Sequence, residues 1–587
     1  MKLRLNVSAF SLAICLLLSR SAVAEVALQI AIAPRYHGGA LVLDKPAQTK
    51  AAGQQFSVTR LDFLLSDFAL HRQGGNWLET TNWQASFSLG QNRTNATVQE
   101  LEPGGYDRIR FHVGLEPSLN HSDPAQYPAR HPLNPNLNGL HWGWAGGYIF
   151  LALEGLWRDT GGEWRGYSFH LGNDPHLMTV EIPVALDLNQ DKSLVLTFDL
   201  GGLLKQRLEQ DNASTHSRKG DEMASLLCAD VQRAFSVAEI APAQPRSSTP
   251  PSVQPLAGTH PYRFTFSMRF PRPDLPRDNP LTQEGVELGR RLFFEKKLSI
   301  NDSQSCASCH HPAEAFSDAG KRFSAGAEGA PGTRNAMSLF NLAWKRSFFW
   351  DGRASSIRQQ VLMPIQNTVE MHQSLDKVIA KLSATPEYPA LFARAFGSPV
   401  ITTNRLALAL EQFVLTRISC DSKLDRALQG AEQLTDQEKR GFELFMTEYD
   451  PRRGMHGADC FHCHGGPLFQ SQGFANNGLD AVFSDVGRAA VTGREWDTGR
   501  FAVPSLRNVE LTGPYMHDGR FKTLEEVVAH YCTGVKRSAT LDPNLAKHPD
   551  GGVPLSKADQ NALVAFLKTL TEESLRDGQG NAQLSKN

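Results

Sequence analysis

Two Cys-X-X-Cys-His pentapeptides, Cys306-Ala-Ser-Cys309-His310 and Cys460-Phe-His-Cys463-His464, hold most of the chemistry available to this sequence. Cysteines spaced in this way can form thioethers to the vinyl groups of one haem, and the histidine that follows can take the proximal position on the iron. Two such sites imply a protein with two covalently bound c-type haems. The other reading is a zinc site or a disulfide, but zinc sites rarely place a histidine directly after the second cysteine, and here it happens twice. A haem that only carries electrons has both axial positions filled, whereas one that reacts with peroxide needs an open face. Between His310 and His372 the other histidine is His311, which adjoins the proximal residue, and Met337 is the methionine available before Met363. The spacing favours an open face at the first haem.

The elements that must position these sites fall into two regimes. At 587 residues the chain is too long for one core. Lys2 and Arg4, the apolar run Val7 to Leu18 and the small residues Ala22-Val23-Ala24 read as a signal peptide over residues 1–24. That places the protein outside the cytoplasm, in the periplasm, secreted or at the cell surface. No later stretch reaches the roughly 20 apolar residues of a membrane span. The net charge of -1 gives no basis for a nucleic-acid or anionic-membrane partner. Cys228, Cys420 and Cys532 suggest free thiols and no disulfide framework.

Residues 25–240 alternate every second position, as in Ile109, Phe111 and Val113, or Ile149, Leu151 and Leu153. They predict an all-β antiparallel sandwich. Residues 241–262 are a proline-rich linker, semi-extended by composition. Beyond it the period becomes helical, with helix starts at Thr435-Asp-Gln-Glu438 and Ser556-Lys-Ala-Asp559. Gly289-Arg-Arg-Leu292-Phe293 and Gly441-Phe-Glu-Leu444-Phe445 precede the two haem motifs by similar intervals. This weak repeat predicts a mainly α region with two cytochrome c-like domains, 263–425 and 426–587.

From about Phe270 to Leu570 the chain resembles the bacterial di-haem cytochrome c peroxidases. The resemblance is carried by Leu288-Gly289-Arg290-Arg291-Leu292-Phe293, Phe349-Trp350-Asp351-Gly352-Arg353-Ala354, Val369-Glu370-Met371 and Tyr515-Met516-His517-Asp518-Gly519. It implies that Trp350 bridges the haems, that Glu370 is the distal acid with Gln360 and Pro364 beside it, and that calcium lies between the haems on Asn335, Thr512 and Pro514. Read as chemistry, a carboxylate beside the open face can shuttle a proton between the two peroxide oxygens, and an indole can relay a hole between two irons.

At the second haem the family's methionine ligand corresponds to Tyr531, fourteen residues after His517. A tyrosinate favours higher iron oxidation states than a thioether does. Tyr531 makes the chain resemble the MauG and MbnH group, in which two haems share oxidising equivalents and withdraw electrons from tryptophan. Otherwise Tyr531 packs and His530 or Met516 binds iron.

Residues from about Val26 to Ile240 resemble the MbnP family of copper-binding β-domains through Leu119-Asn120-His121, His131-Pro132-Leu133-Asn134, His141-Trp142-Gly143-Trp144, Leu153-Glu154-Gly155 and Phe169-His170-Leu171-Gly172. The resemblance implies that a tryptophan, Trp142 or Trp144, with Trp157 and Trp164 less anchored, becomes kynurenine beside copper. His170 and His216 are the preferred copper ligands, with His121 and His141 as further candidates. The whole reading is a peroxide-using di-haem oxidase acting on its own N-terminal domain. Two other readings stay open: a conventional peroxidase fed by a small cytochrome c or cupredoxin, and a copper-capturing surface protein.

Overall fold

The computed structural model describes residues 25–48, 54–80, 82–142, 146–204, 208, 214–243 and 253–576. The expected signal segment, Trp144 and the middle of the linker lie outside the described residues. Among the described residues no helix is long and apolar enough to cross a membrane.

The N-terminal half folds as two sheets around one shared apolar core, the outcome that two-residue alternation requires. The long strand Gln55–Arg72 centres the larger sheet, antiparallel to Ile149–Arg158 along its first half and to Gly105–Val113 along its second. Met178–Asp187, at the edge of that sheet, alternates strictly between buried and exposed. The smaller sheet departs from the antiparallel expectation. Val26–Tyr36 runs parallel to Lys192–Asp199, and this is possible because the chain between them builds most of the other sheet and so supplies the long crossover that a parallel pair needs.

Two strands depart from alternation. Ile149–Arg158 and Arg165–Gly172 are buried on both faces, because their outer face is covered by the C-terminal half. Gly166 makes the approach possible: a Cβ there would stand 1.9 Å from the carbonyl oxygen of Pro543. Beside it Leu156 packs with Val535, Leu541 and Ala546, and Trp164 and Tyr531 rest against this cluster.

The C-terminal half is helical and has two separate cores. In the first unit Gln283–Phe293 packs on Thr403–Leu415, and in the second Asp436–Met446 packs on Lys557–Lys568. The repeated glycine is the contact point of both crossings. A Cβ on Gly289 would lie 2.0 Å from the carbonyl oxygen of Ala409, and one on Gly441 would lie 2.0 Å from that of Ala562. Phe413 and Phe566, one turn further on, close the two contacts alike. Leu292 and Phe293 enter the first core, Leu444 and Phe445 the second. Thr435 and Glu438 form the expected capping box, and Ser556 accepts from the Asp559 amide.

Gly441→Ala should therefore lower the stability of the second unit by about 1–3 kcal/mol through overpacking. Gly202→Ala, where a Cβ meets open space, should be close to neutral. Denaturant midpoints of the two variants check the difference.

Candidate haem sites and an interdomain histidine cluster

Both pentapeptides begin in a tight turn, Cys306–Ser308 and Cys460–His462, and none of their four cysteines is joined in a disulfide. In each motif the following histidine is oriented by the backbone. His310 Nδ1 lies 2.9 Å from the Phe316 carbonyl oxygen, and His464 Nδ1 lies 3.2 Å from those of Phe469 and Pro504. Donation from Nδ1 leaves the Nε2 lone pair of each ring for a metal. Two thiols and an aimed imidazole in each unit fit a covalently held haem.

Around the first motif the chain gathers the expected distal residues. Gln360 and Pro364 lie on the neighbouring short helices Ile357–Gln360 and Met363–Gln366. The Met371 amide donates to the Pro364 carbonyl at 3.2 Å, which folds the Glu370 segment back onto them. Burial raises the Glu370 carboxyl, against the Asn367 amide that donates to it at 2.6 Å. The charge of Glu370 in turn reaches the thiols of Cys306 and Cys309, so the acid stands near the attachment site. Trp350 joins the two units, since its indole N–H donates to the Asn335 carbonyl at 2.9 Å while its own carbonyl accepts from the Ala502 amide at 2.7 Å. The Asn335 backbone N–H also donates to the His517 carbonyl at 2.8 Å. The Gly320 amide donates to the carbonyl of Gly513, between Thr512 and Pro514, at 2.8 Å.

At the second motif Tyr531 lies in a π-helical turn, His530–Gly534, a feature frequent at functional sites. Burial pushes its phenol upward, against the hydrogen bond from Asn477, and the nearby thiols of Cys463 and Cys460 add to the rise. The Asn477 amide nitrogen stands 3.3 Å from both the Tyr531 hydroxyl and the Met516 sulfur. Two of the candidate sixth ligands thus converge on one amide. His530 is engaged elsewhere, with Nε2 3.0 Å from the Asn477 carbonyl.

The sandwich presents its histidines to this same unit. His170 and Glu154 share the outer face of adjacent strands, and His216 follows a short strand paired to Ser168 and Phe169. His170 Nδ1 and His216 Nε2 are 3.0 Å apart. Trp142 packs on both rings, with centroids 5.9 and 5.6 Å away, and its buried indole nitrogen has no hydrogen-bond partner among the described residues. His121 instead pairs with Asp174, and His141 packs edge-on against Tyr148. Trp157 is a core residue, and Trp164 lies under the Arg158 guanidinium.

The chain adds partners that motif reading passed over. His462, inside the second haem motif, has its ring 5.0 Å from that of His216 and 5.4 Å from that of His170. Its position in the quoted pentapeptide was the available signal, but that residue is free to vary in a haem motif and so carried no role. Glu154 accepts from Arg60 at 2.9 Å, from His170 at 2.8 Å and, across the domain seam, from Asn544 at 3.1 Å. Glu448, Asp459, Lys547 and His548 complete a buried charged cluster on the haem side. Burial would raise the carboxyls of Glu154, Glu448 and Asp459, but Arg60, His216 and Lys547 respectively lead the groups that hold them well below the ordinary range. Burial lowers His170 to about 3. A cavity of about 1130 Å³ runs along the seam, lined by Trp142, Glu154 and His170 on one side and by Phe461, His462 and Cys463 on the other.

Comparison with known proteins agrees with this division. The family model for di-haem cytochrome c peroxidase matches residues 283–433, and that for MbnP matches residues 25–218. The methylamine utilization protein MauG of Methylorubrum extorquens is 38% identical over 312 residues, which is 52% of this chain and 84% of that protein. The cytochrome c551 peroxidase of Pseudomonas aeruginosa is 35% identical over 311 residues, 51% of this chain and 82% of its own. Among solved structures, a MauG-like protein associated with microbial copper homeostasis is 34% identical, with a TM-score of 0.47, covering 54% of this chain and 97% of that one.

The depressed carboxyls predict how the seam responds to acid. In the unfolded chain such groups titrate near about 4, so their contribution is complete above that value and is lost as pH falls through their lower folded values. Docking should persist at pH about 5 and fail in stronger acid, seen as a rise in radius of gyration by X-ray scattering. Separation already near pH about 7 would assign the seam to its histidines instead.

Proposed function

The chain belongs to the di-haem cytochrome c peroxidase and MauG family, and from that premise we propose that it is a peroxide-driven oxidase whose substrate is its own MbnP-like domain, with Trp142 oxidised to kynurenine beside a copper site on His170 and His216. The observation that carries this reading is a continuous run of rings across the seam. Trp142 touches His216, and His216 lies 5.0 Å from His462 and 6.3 Å from Phe461, both inside the second haem motif. The substrate side chain is already docked in the same chain, so no encounter step is needed and even weak contacts suffice.

The two haems, when bound through Cys306, Cys309, Cys460 and Cys463, supply the cleavage of peroxide and hold its oxidising equivalents. His310 and His464 would hold the two irons through Nε2, and Tyr531 would hold that of the second unit through its phenol oxygen. The Glu370 carboxylate accepts the proton of the inner peroxide oxygen and returns it to the outer one, which leaves as water. Gln360 and Pro364 would shape that face, and Asn335 with the backbone of Thr512 and Pro514 would hold calcium. The Trp350 indole is the relay between the units. Opening the Trp142 ring consumes two peroxide molecules, yields the N-formyl derivative and two waters, and hydrolysis then releases formate to leave kynurenine. Its new donors, with two imidazoles, suit copper. Haem attachment of this type and the charged, then apolar, amino terminus support a place outside the cytoplasm.

One observation favours a second reading. The Met516 sulfur shares the Asn477 amide with Tyr531, and a thioether on the second haem would make a conventional peroxidase fed by a small cytochrome c or cupredoxin. Tyr531→Phe separates the two: loss of tryptophan oxidation with peroxide turnover by a small donor retained supports Tyr531 as the ligand, and unchanged tryptophan oxidation assigns that position to Met516.

Peptide mass spectrometry of the haem-loaded protein before and after peroxide should find kynurenine at Trp142, absent in Glu370→Gln. An unmodified Trp142 despite peroxide consumption overturns the proposal. Glu370→Gln should slow peroxide consumption by about 10²- to 10⁴-fold. Because the base form is required and burial raises Glu370, the acid limb of the rate profile should lie above the ordinary glutamate value of about 4.3, and it should vanish in the variant.

A further inference from the structure

We propose that His462, the third residue of the second Cys-X-X-Cys-His motif, completes a three-imidazole site with His170 and His216, so that one first-row transition ion is held jointly by the sandwich and the second haem unit. This rests on the reading of His170 and His216 as metal ligands. What it adds is the third ligand, its origin in the other half of the molecule, and the consequence that the ion clamps the two halves together.

The geometry is that of a ligand set. One ring nitrogen from each of the three histidines lies within 4.8 Å of the others. The three side chains are 2%, 6% and 3% exposed for His170, His216 and His462. The outward nitrogens of the first two are each held by a carboxylate, His170 Nε2 by Glu154 at 2.8 Å and His216 Nδ1 by Glu448 at 2.5 Å. A carboxylate behind each imidazole is the usual support of a metal-bound histidine. It leaves His170 Nδ1 and His216 Nε2 pointing at one another. The two carboxylates come from opposite halves, so the sandwich alone does not orient its own pair.

The charges around the set suit a cation. Glu154, Glu448 and Asp459 bring carboxylates to the set from both halves, beside the buried cations Arg60 and Lys547. Lys547 is drawn toward Asp459 at 3.0 Å and stands 3.3 Å from His462 Nε2. An all-imidazole set selects copper, zinc, nickel or iron over calcium and magnesium. An ion that needs both halves binds the docked form alone and so stabilises docking by mass action.

The test uses the haem-loaded full chain, titrated with Cu(II) and separately with Zn(II) against a chromophoric chelator. The nitrogen hyperfine pattern of bound Cu(II) is read by electron paramagnetic resonance. His462→Asn keeps Cys460, Cys463 and His464, and its haem content is measured first; if haem is lost, His462→Gln replaces it. The expected result is one ion per chain, an affinity in the His462 variant lower by about 100-fold or more, beyond the cost of losing an outer-shell partner, and one nitrogen fewer on copper. Wild-type affinity and an unchanged nitrogen pattern in that variant overturn the third ligand. If His170→Ala still abolishes binding in that case, the earlier reading of the sandwich pair stands. Unchanged binding in both variants removes both.

Discussion

A carboxylate as buried as that of Glu154 must be neutralised and bonded on every side, and the way this chain does so organises the molecule. Arg60 and His170 in its own sheet supply a charge and a ring nitrogen, and Asn544 from the helical half supplies the remaining donor. Leaving such a group unpaired costs several kcal/mol. The sandwich face around it is therefore finished only when the second haem unit is in place. The double-sided burial of the Ile149–Arg158 and Arg165–Gly172 strands, the missing side chain at Gly166 and the orientation of His170 follow from that one requirement.

The helical half is built on a second constraint, backbone touching backbone. Gly289 on Ala409 and Gly441 on Ala562 bring two helix pairs into the same close crossing, and each crossing sets the frame against which one Cys-X-X-Cys-His turn is hung. Between the frames, Trp350 is tied to one unit through its indole and to the other through its carbonyl. The fully buried Arg507 pairs with Asp425 and stacks over Phe270, which fastens the first core to the second unit. Relative movement of the units would break buried charge pairs, so the path between the two attachment sites is held rigid.

The haem motifs, the sandwich and the two-unit helical half could be read in the sequence because each has a short-range signature: a fixed pentapeptide, a period of two, and a glycine repeated at matching intervals. The preference for His170 and His216 came from a family resemblance, and the structure sets those two rings side by side. The seam was not legible. Glu154 sits in a stretch that reads as an ordinary strand, and Glu448, Asp459 and Lys547 read as solvated charges, because partners such as His216 for Glu448 and Lys547 for Asp459 lie far along the chain. His462 was in plain view but occupies a place where any residue is tolerated. The parallel pairing of Val26–Tyr36 with Lys192–Asp199 escaped for the same reason, since alternation reports which face is buried and says nothing of strand direction.

The burial of the second haem motif against the sandwich also makes the seam a wall of that motif's surroundings. The His462 side chain, between the two attachment cysteines, is 3% exposed, and the seam closes over it. Cys460 and Cys463 themselves are half-buried, and Cys463 lines the seam cavity, so the attachment turn is enclosed by both halves of the molecule.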